Sequence, residues 1–556
     1  MAAAAALVIK AAAMSQSRAA LGPVNRLEHF NAERDRILAT VARRVVDRKL
    51  TAAGAGGEAS LEYVLNDVAF AEFKRYEQTK SRDSQHKAQK WRELANRLGR
   101  MTGDEKRAEL ERLVDSYALD IVGNFNPRVY RFANDVLPPA LSVLFSPVRD
   151  VKGGLSALGG LSRRVIVEGP VDRVRSACER GTVVVTPTHS SNLDSIAVGF
   201  ALSRSGLPPL TYGAGKNLFT NPVLGFFMHN LGAYRVDRRL KFALYKDVLK
   251  EYSTVLLERG YHSLFFPGGT RSRSNHVERH LKLGLLGTAL KAYQNNLITG
   301  AGARPIYIVP MTINYSAVLE AESLIENYLE ETGKARYIHD MEDDEFSRVG
   351  RVLEFFRKIV AHEGSVVLRF GRPLDLFGHD TDAEGAPIDR RGRPVDETSY
   401  LRGADGAICD DPQRNAVYTR ELGESIARAY RRDTVFLSTH VVARAVFDAI
   451  TDSAGTTDIY KLLRLPPAQL EALAEEVLRG IDRVRDDVRA ARDQGCLHDS
   501  VAKASAEEIL DDATRALGSY HTHPAIERGA DVVKVRDMKL LYYYANRSAH
   551  LAEGSL

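Results

Sequence analysis

From Arg164 onward the chain changes rhythm. Short apolar runs, Val165-Ile166-Val167, Val183-Val184-Val185, Leu264-Phe265-Phe266, Ile306-Tyr307-Ile308-Val309 and Val366-Val367-Leu368, alternate with stretches of helical spacing. That alternation predicts an α/β unit over 161–375, a sheet with covering helices. Residues 25–160 ahead of it are rich in Arg, Lys, Glu, Leu and Ala at helical spacing, as from Leu61 to Phe70, and predict a mostly helical region. Gly153, Gly154, Gly159 and Gly160 mark the joint between the two. After the sheet unit, the tract 376–415, full of Gly, Asp, Arg and Pro, reads as a flexible loop or linker. Beyond it, 416–556 returns to helix, including Ala468 to Leu478. The Ala-rich residues 1–24 read as a disordered start, and no internal repeat is visible.

Composition narrows the function classes. A chain of 556 residues is long enough for two to four domains. Its 44% hydrophobic and 27% charged residues are ordinary for a globular protein, and a net charge of +5 gives no reason to expect nucleic acid. Cys178, Cys409 and Cys496 form neither a metal spacing nor a disulfide framework. Met1 to Ala13 lacks the basic start and long apolar core of a secretory signal. The nearest approaches to a membrane span, Val136 to Val148 and Leu218 to Tyr234, are cut by Pro and Asn and fall short of the ~18 to 20 apolar residues required. Any membrane contact is therefore expected at the surface.

The candidate chemistry starts at Pro187-Thr188-His189-Ser190-Ser191-Asn192-Leu193-Asp194. Pro187 should end a strand, Ser190, Ser191 and Asn192 are helix-capping types, and Ile196 to Leu202 is helix-like. A His just before a helix and an Asp in its first turn can face each other. The Asp then fixes the imidazole tautomer and stabilises the imidazolium, which makes the His a usable general base.

Further groups follow in order. Lys216 lies in Gly213-Ala214-Gly215-Lys216-Asn217, half of a P-loop, but the pattern lacks its first Gly and the Ser/Thr that would hold magnesium. Lys216 is left as an anion ligand or a plain surface lysine. Phe219, Phe226, Phe227 and Met228 form an apolar run, read as core packing or else as a tunnel for an apolar ligand chain or a membrane contact. Arg238 ends Gly232-Ala233-Tyr234-Arg235-Val236-Asp237-Arg238, where it either contacts substrate or pairs with Asp237 or Glu258. Phe265-Phe266-Pro267-Gly268-Gly269-Thr270-Arg271-Ser272-Arg273 reads as a strand running into an anion-binding turn, with Arg271 and Arg273 as bidentate ligands or else as solvated loop charges. Last comes Pro310-Met311-Thr312-Ile313-Asn314-Tyr315.

In this order the four blocks resemble those of the glycerolipid acyltransferases, the glycerol-3-phosphate acyltransferases and their lysophosphatidate relatives. His189 and Asp194 match the His-x4-Asp block, Arg238 the second, Gly269-Thr270-Arg271-Ser272-Arg273 the third and Pro310 the fourth. Lys282 and Gly284 fit the Lys-x-Gly that follows the third block, and Leu368 to Pro373 fits the closing strand. The resemblance covers roughly 165–375 and implies a central mixed sheet with covering helices.

It also implies O-acyl transfer from an acyl-CoA or acyl-carrier-protein thioester to the sn-1 hydroxyl of glycerol 3-phosphate. His189 would be the base and Asp194 its orienter; Lys216, Arg238, Gly269, Thr270, Arg271, Ser272, Arg273 and Pro310 would hold substrate. No cofactor or metal is implied, and the site is expected on the cytoplasmic face of a membrane, peripherally held. The length and the fourth block are similar to the large glycerol-3-phosphate enzymes, whereas Val236-Asp237-Arg238 is similar to the lysophosphatidate ones, so lysophosphatidate is the alternative acceptor. One departure stands out. Gly268 occupies the place of a family Glu, which raises a further alternative, a weakened lipid-binding member of the fold.

Overall fold

The computed structural model describes residues 26–54, 60–78, 81–133, 165–220, 222–300, 304–333, 365–491, 493–519 and 521–553. The start at 1–24, the Val136 to Val148 segment and the Gly153 to Gly160 joint lie outside the described residues.

Serine and threonine caps set out the N-terminal region. Helices α1 (Phe30–Ala53), α2 (Leu61–Glu77), α3 (Arg82–Arg97) and α4 (Gly103–Ile121) follow one another, and Ser60, Ser81 and Thr102 cap the last three. Thr102 and Glu105 close a capping box, which satisfies two amides that a helix start otherwise leaves unpaired.

The α/β unit then runs β1 (Val165–Glu168), α5 (Val171–Arg180), β2 (Thr182–Pro187), α6 (Asp194–Arg204), β3 (Thr211–Gly215), α7 (Pro222–Asn230), β4 (Ala233–Val236), α8 (Ala243–Glu258), β5 (Ser263–Leu264), α9 (Leu283–Thr299), β6 (Ile306–Tyr315), α10 (Ala321–Gly333) and β7 (Val366–Phe370). The seven strands lie in the order β1-β7-β6-β2-β5-β3-β4. Every pairing is parallel except β6 with β7, which makes the sheet mixed.

Residues of β2 are buried on both faces, which explains an unbroken Val run instead of alternation. Val183 and Val185 face α5, α6 and α10, while Val184 faces α9 and α11 (Pro412–Asp433). The period of two therefore places one three-residue run in two hydrophobic layers.

Strands β3 and β4 were not evident as apolar runs. In β3 the glycines displace the β-formers for a packing reason: a Cβ on Gly213 would lie 2.9 Å from the Tyr234 ring. Strand β5 is shorter than the Leu264-Phe265-Phe266 run, because the chain turns at Pro267.

The flanks are built into this sheet. Ile37, Val41, Leu110 and Val114 share a core with Tyr234 of β4 and with Leu244, Val248 and Val255 of α8. Arg44 of α1 reaches Glu258 of α8 at 2.7 Å and Glu251 at 3.2 Å. At the other end, α12 (Ser438–Ala454) belongs to the same hydrophobic cluster as Val309, Met311 and Leu368. The helix read from Ala468 to Leu478 is corrected: Glu471–Leu473 is a strand of a small three-stranded sheet, and α13 spans Ala474–Ala490. Helix α14 (Met538–Ala545) packs on α10 and α12, and a 3-10 helix, Asn546–Glu553, follows it. The polar tract 376–415 carries only short elements until α11 begins at Pro412, yet it is pinned: Leu401 is buried and Phe377 stacks on Tyr400 at 4.5 Å.

Gly169, at the turn after β1, has φ +93°, and a Cβ there would overlap the Phe370 carbonyl. Gly169→Ala is expected to lower stability by about 1–3 kcal/mol, read by denaturant unfolding.

Candidate active site

Five strands run parallel and release their loops at one edge of the sheet, where sites in such sheets collect. Strand β2 ends at Pro187, which still pairs with Met311, and His189 follows two residues later. Strand β6 continues past that last pair. Its overhang holds the His loop: Thr188 N–H donates to Met311 O at 2.9 Å, and Ile313 N–H donates to Thr188 Oγ1 at 3.0 Å.

Within the loop, His189 Nδ1 lies 2.8 Å from Asp194 Oδ2. Asp194 is the first residue of α6 and is fully buried. The same Oδ2 accepts the amides of Ser190 at 2.7 Å and Ser191 at 3.0 Å, and Oδ1 accepts Tyr315 OH at 2.7 Å. With a carboxylate against Nδ1, the imidazole carries its proton there and presents Nε2 as a base. The His189 side chain is 13% exposed, and its ring stacks on Phe266 with centroids 4.3 Å apart.

The capping assignment is corrected in detail. Leu193 is the N-cap of α6 and makes no side-chain cap, and the amides of Ser190 and Ser191 converge instead on Asp194. The Ser191 hydroxyl donates to Glu320 Oε2 at 2.9 Å and accepts from Leu193 N–H, so it braces the loop.

Block three joins block one directly. Ser272 N–H donates to His189 O at 2.7 Å, and Lys282 N–H closes the turn on Pro267 O at 2.7 Å. Gly269 has φ +76°, a conformation favouring glycine, and the Lys282 side chain lies where its Cβ would be. Arg271 is half-buried, 3.4 Å from the buried Glu320, whose Oε1 also accepts the Asn192 amide at 3.0 Å. Arg273 pairs with Glu331 of α10, and Thr270 is exposed. Each guanidinium has five donors, so one carboxylate contact leaves the fork able to grip an anion.

The remaining candidates sit further out. Lys216 pairs with Asp120 of α4 at 2.6 Å, tying the second loop to the N-terminal helices. Arg238 is exposed; Asp237 is held by Arg239 at 2.9 Å and by Arg75, and Glu258 by Arg44. Pro310 is buried in β6 opposite Thr186, and its carbonyl accepts Gly371 N–H at the point where the antiparallel ladder to β7 ends. There it shapes the wall and offers no spare polar group. The core-packing reading of Phe219, Phe226, Phe227 and Met228 is overturned, because none of them is buried and Phe226 is 54% exposed. Phe227 stacks on Phe132 at 6.4 Å, and Arg235 covers the Phe219 ring.

Sequence reasoning missed several groups. Tyr315 was visible at the end of the fourth block, and its role appears only through the β6 overhang. Glu278, Glu320 and Arg547 carry no local signal. Glu278 Oε1 accepts the His189 amide at 2.9 Å, and burial pushes this carboxyl up to about 7. Burial also raises Glu320. Arg547, just after α14, is buried, with its guanidinium brought down to about 10 by loss of solvent, and it donates to Asn314 Oδ1 at 2.6 Å and to Ile313 O. It supplies positive potential to Asp194 and Glu278. Clefts elsewhere, between the N-terminal helices around Ser60, Asn66 and Lys106 and beside Arg44 and Lys291, include none of these residues.

Comparison with known proteins covers the part of the chain that carries these residues. A model of the Acyltransferase family matches residues 164–314. A glycerol-3-phosphate acyltransferase of Pseudomonas paraeruginosa is 27% identical over 252 residues, 45% of this chain and 27% of that protein. One from Actinobacillus pleuropneumoniae is 31% identical over 222 residues, 40% of this chain and 23% of its own. One from Histophilus somni is 35% identical over 154 residues, 27% and 18% respectively. The matched stretch spans about a quarter of the length of these curated relatives or less. Within the α/β unit, residues 164–314 are thus similar to the Acyltransferase family, and the relatives that this part of the chain matches are bacterial glycerol-3-phosphate acyltransferases.

The high value of Glu278 has a consequence for stability. A carboxyl whose folded value lies above its ordinary 4.5 favours the fold while protonated, and that contribution is lost as pH rises toward 7. Glu278 faces the His189 amide, Asp194, Arg547 and Tyr430. Glu278→Gln has no proton to lose, so its melting midpoint should gain on wild type between about pH 5 and about pH 8.

Proposed function

We propose that this protein transfers a fatty acyl group from an acyl thioester, acyl-CoA or acyl-carrier protein, to the sn-1 hydroxyl of glycerol 3-phosphate. The observation that carries this reading is the 2.8 Å contact between His189 Nδ1 and the buried, triply supported Asp194, beside the turn bearing Arg271 and Arg273.

In this reading Nε2 of His189 takes the hydroxyl proton as the oxygen attacks the thioester carbonyl. The C–O bond forms, the C–S bond breaks, and the imidazolium returns its proton to the departing thiolate. Asp194 stabilises the imidazolium without taking the proton. No acyl-enzyme nucleophile is required, because a thiolate is already a good leaving group. Arg271 and Arg273 clasp the acceptor phosphate, and backbone amides of the Gly268–Thr270 turn add to the grip. Lys216 and Arg238 line the approach, and Pro310 fixes the wall behind the base. Among the described residues no helix is long and apolar enough to cross a membrane. The exposed Phe226 and the Phe132–Phe227 stack are a suitable apolar footing for a peripheral membrane contact, where the acyl product leaves.

The test offers purified protein labelled glycerol 3-phosphate and lysophosphatidate, each with palmitoyl-CoA and palmitoyl-carrier protein. Glycerol 3-phosphate should be the preferred acceptor. His189→Ala and Asp194→Asn should each lower kcat by about 10²–10⁴-fold. Arg271→Met should raise KM for the acceptor by about 10–100-fold, the worth of a charge-assisted hydrogen bond. Preference for lysophosphatidate moves the acceptor assignment, and turnover that survives His189→Ala removes the base.

A further inference from the structure

Gly268 and Glu278 occupy one space. A Cβ built on Gly268 would lie 2.8 Å from the carboxyl carbon and from both carboxyl oxygens of Glu278. A glutamate carries its own carboxyl carbon about 2.5 Å from its Cβ by ordinary bond lengths. The Glu278 carboxyl therefore lies where the head group of a glutamate rooted at position 268 would fall. It reaches that place from the far side of the loop, ten residues downstream in sequence, and Val277 beside it is anchored in the hydrophobic layer of α9 and β6.

The carboxyl is placed with care. Its Oε1 accepts the main-chain amide of the base, His189, at 2.9 Å. Its Oε2 is fully enclosed and has no hydrogen-bond partner, although the residue as a whole is only half buried. A lone buried carboxyl oxygen is costly unless the arrangement around it is needed. The surrounding groups are the Asp194 carboxylate, the Arg547 guanidinium and the Tyr430 ring.

We infer that Glu278 is a positioning residue that supplies from a second site the carboxyl absent at position 268, and that Gly268 is glycine because Glu278 fills its side-chain space. The carboxyl ties the main chain of the base to the anion-binding turn. It acts through His189 and does not touch the reacting atoms. A substitution at 268 alone then adds a second carboxyl to an occupied space, whereas a reciprocal exchange moves the same group to the other root. This inference rests on the acyltransfer reading for its kinetic part only.

The test is a four-protein cycle on the full chain: wild type, Gly268→Glu, Glu278→Ala, and the double variant. Turnover of glycerol 3-phosphate and the melting midpoint are measured for each. Both single variants should lose about 10²-fold in kcat, the cost of a base displaced by about 1 Å, with KM for the acceptor within about threefold of wild type. Glu278→Gln, which keeps an acceptor for the His189 amide, should retain kcat within about tenfold. The double variant should recover at least about tenfold over either single in kcat, and its midpoint should exceed both singles by about 2–4 °C. A double variant no better than the worse single, a midpoint that recovers without turnover, or a Gly268→Glu variant as active as wild type each overturns the inference. If wild type acylates neither acceptor, the functional reading fails separately, and the four midpoints alone decide whether the two positions share one carboxyl.

Discussion

The buried carboxylate of Asp194 is the fixed point of this molecule. A charge with no solvent persists only where donors converge on it, and here a ring nitrogen, two amides and a phenol do so. Those donors come from the His loop and the far end of β6. The β6 overhang is in turn held by β7 and by Arg547 from the end of the chain. Remove the carboxylate and the His loop loses the centre around which it is wrapped.

This convergence explains why parts of the chain far from the His loop are integral to the site. Glu320, just ahead of α10 in the α/β unit, links the His loop to Arg271. Arg547 brings a cation beneath two carboxyl groups that would otherwise repel each other, Asp194 and Glu278. Lys216 and Asp120 tie the second loop to the N-terminal helices. The sheet supplies direction, and the groups around it supply the electrostatic balance that lets His189 and Asp194 sit largely out of water.

What could be read from the chain follows from the range of each signal. The β-branched runs at Val183, Ile306 and Val366 mark strands because burial on both faces leaves little choice of residue type, whereas the run at Val165 is a half-buried edge strand. Strands β3 and β4 escaped because Gly213 yields its space to Tyr234, a tertiary contact that erases the local pattern. The His-x4-Asp spacing was legible because its partners lie within one loop and one helical turn. Tyr315, Glu278, Glu320 and Arg547 reach the same loop from distant stretches, and no periodicity or spacing encodes such contacts. The Ala468 to Leu478 stretch failed for a related reason: pairing with Val532–Val535 draws Glu471–Leu473 into a strand despite its helix-forming composition.

The most direct test of the central claim is a crystal structure of the protein with glycerol 3-phosphate bound. The proposed function requires the phosphate against Arg271 and Arg273, and the C1 hydroxyl within about 2.6–3.2 Å of His189 Nε2 while Nδ1 stays on Asp194. A phosphate seated away from that turn, or an imidazole rotated off Asp194 with no hydroxyl at Nε2, would contradict the account.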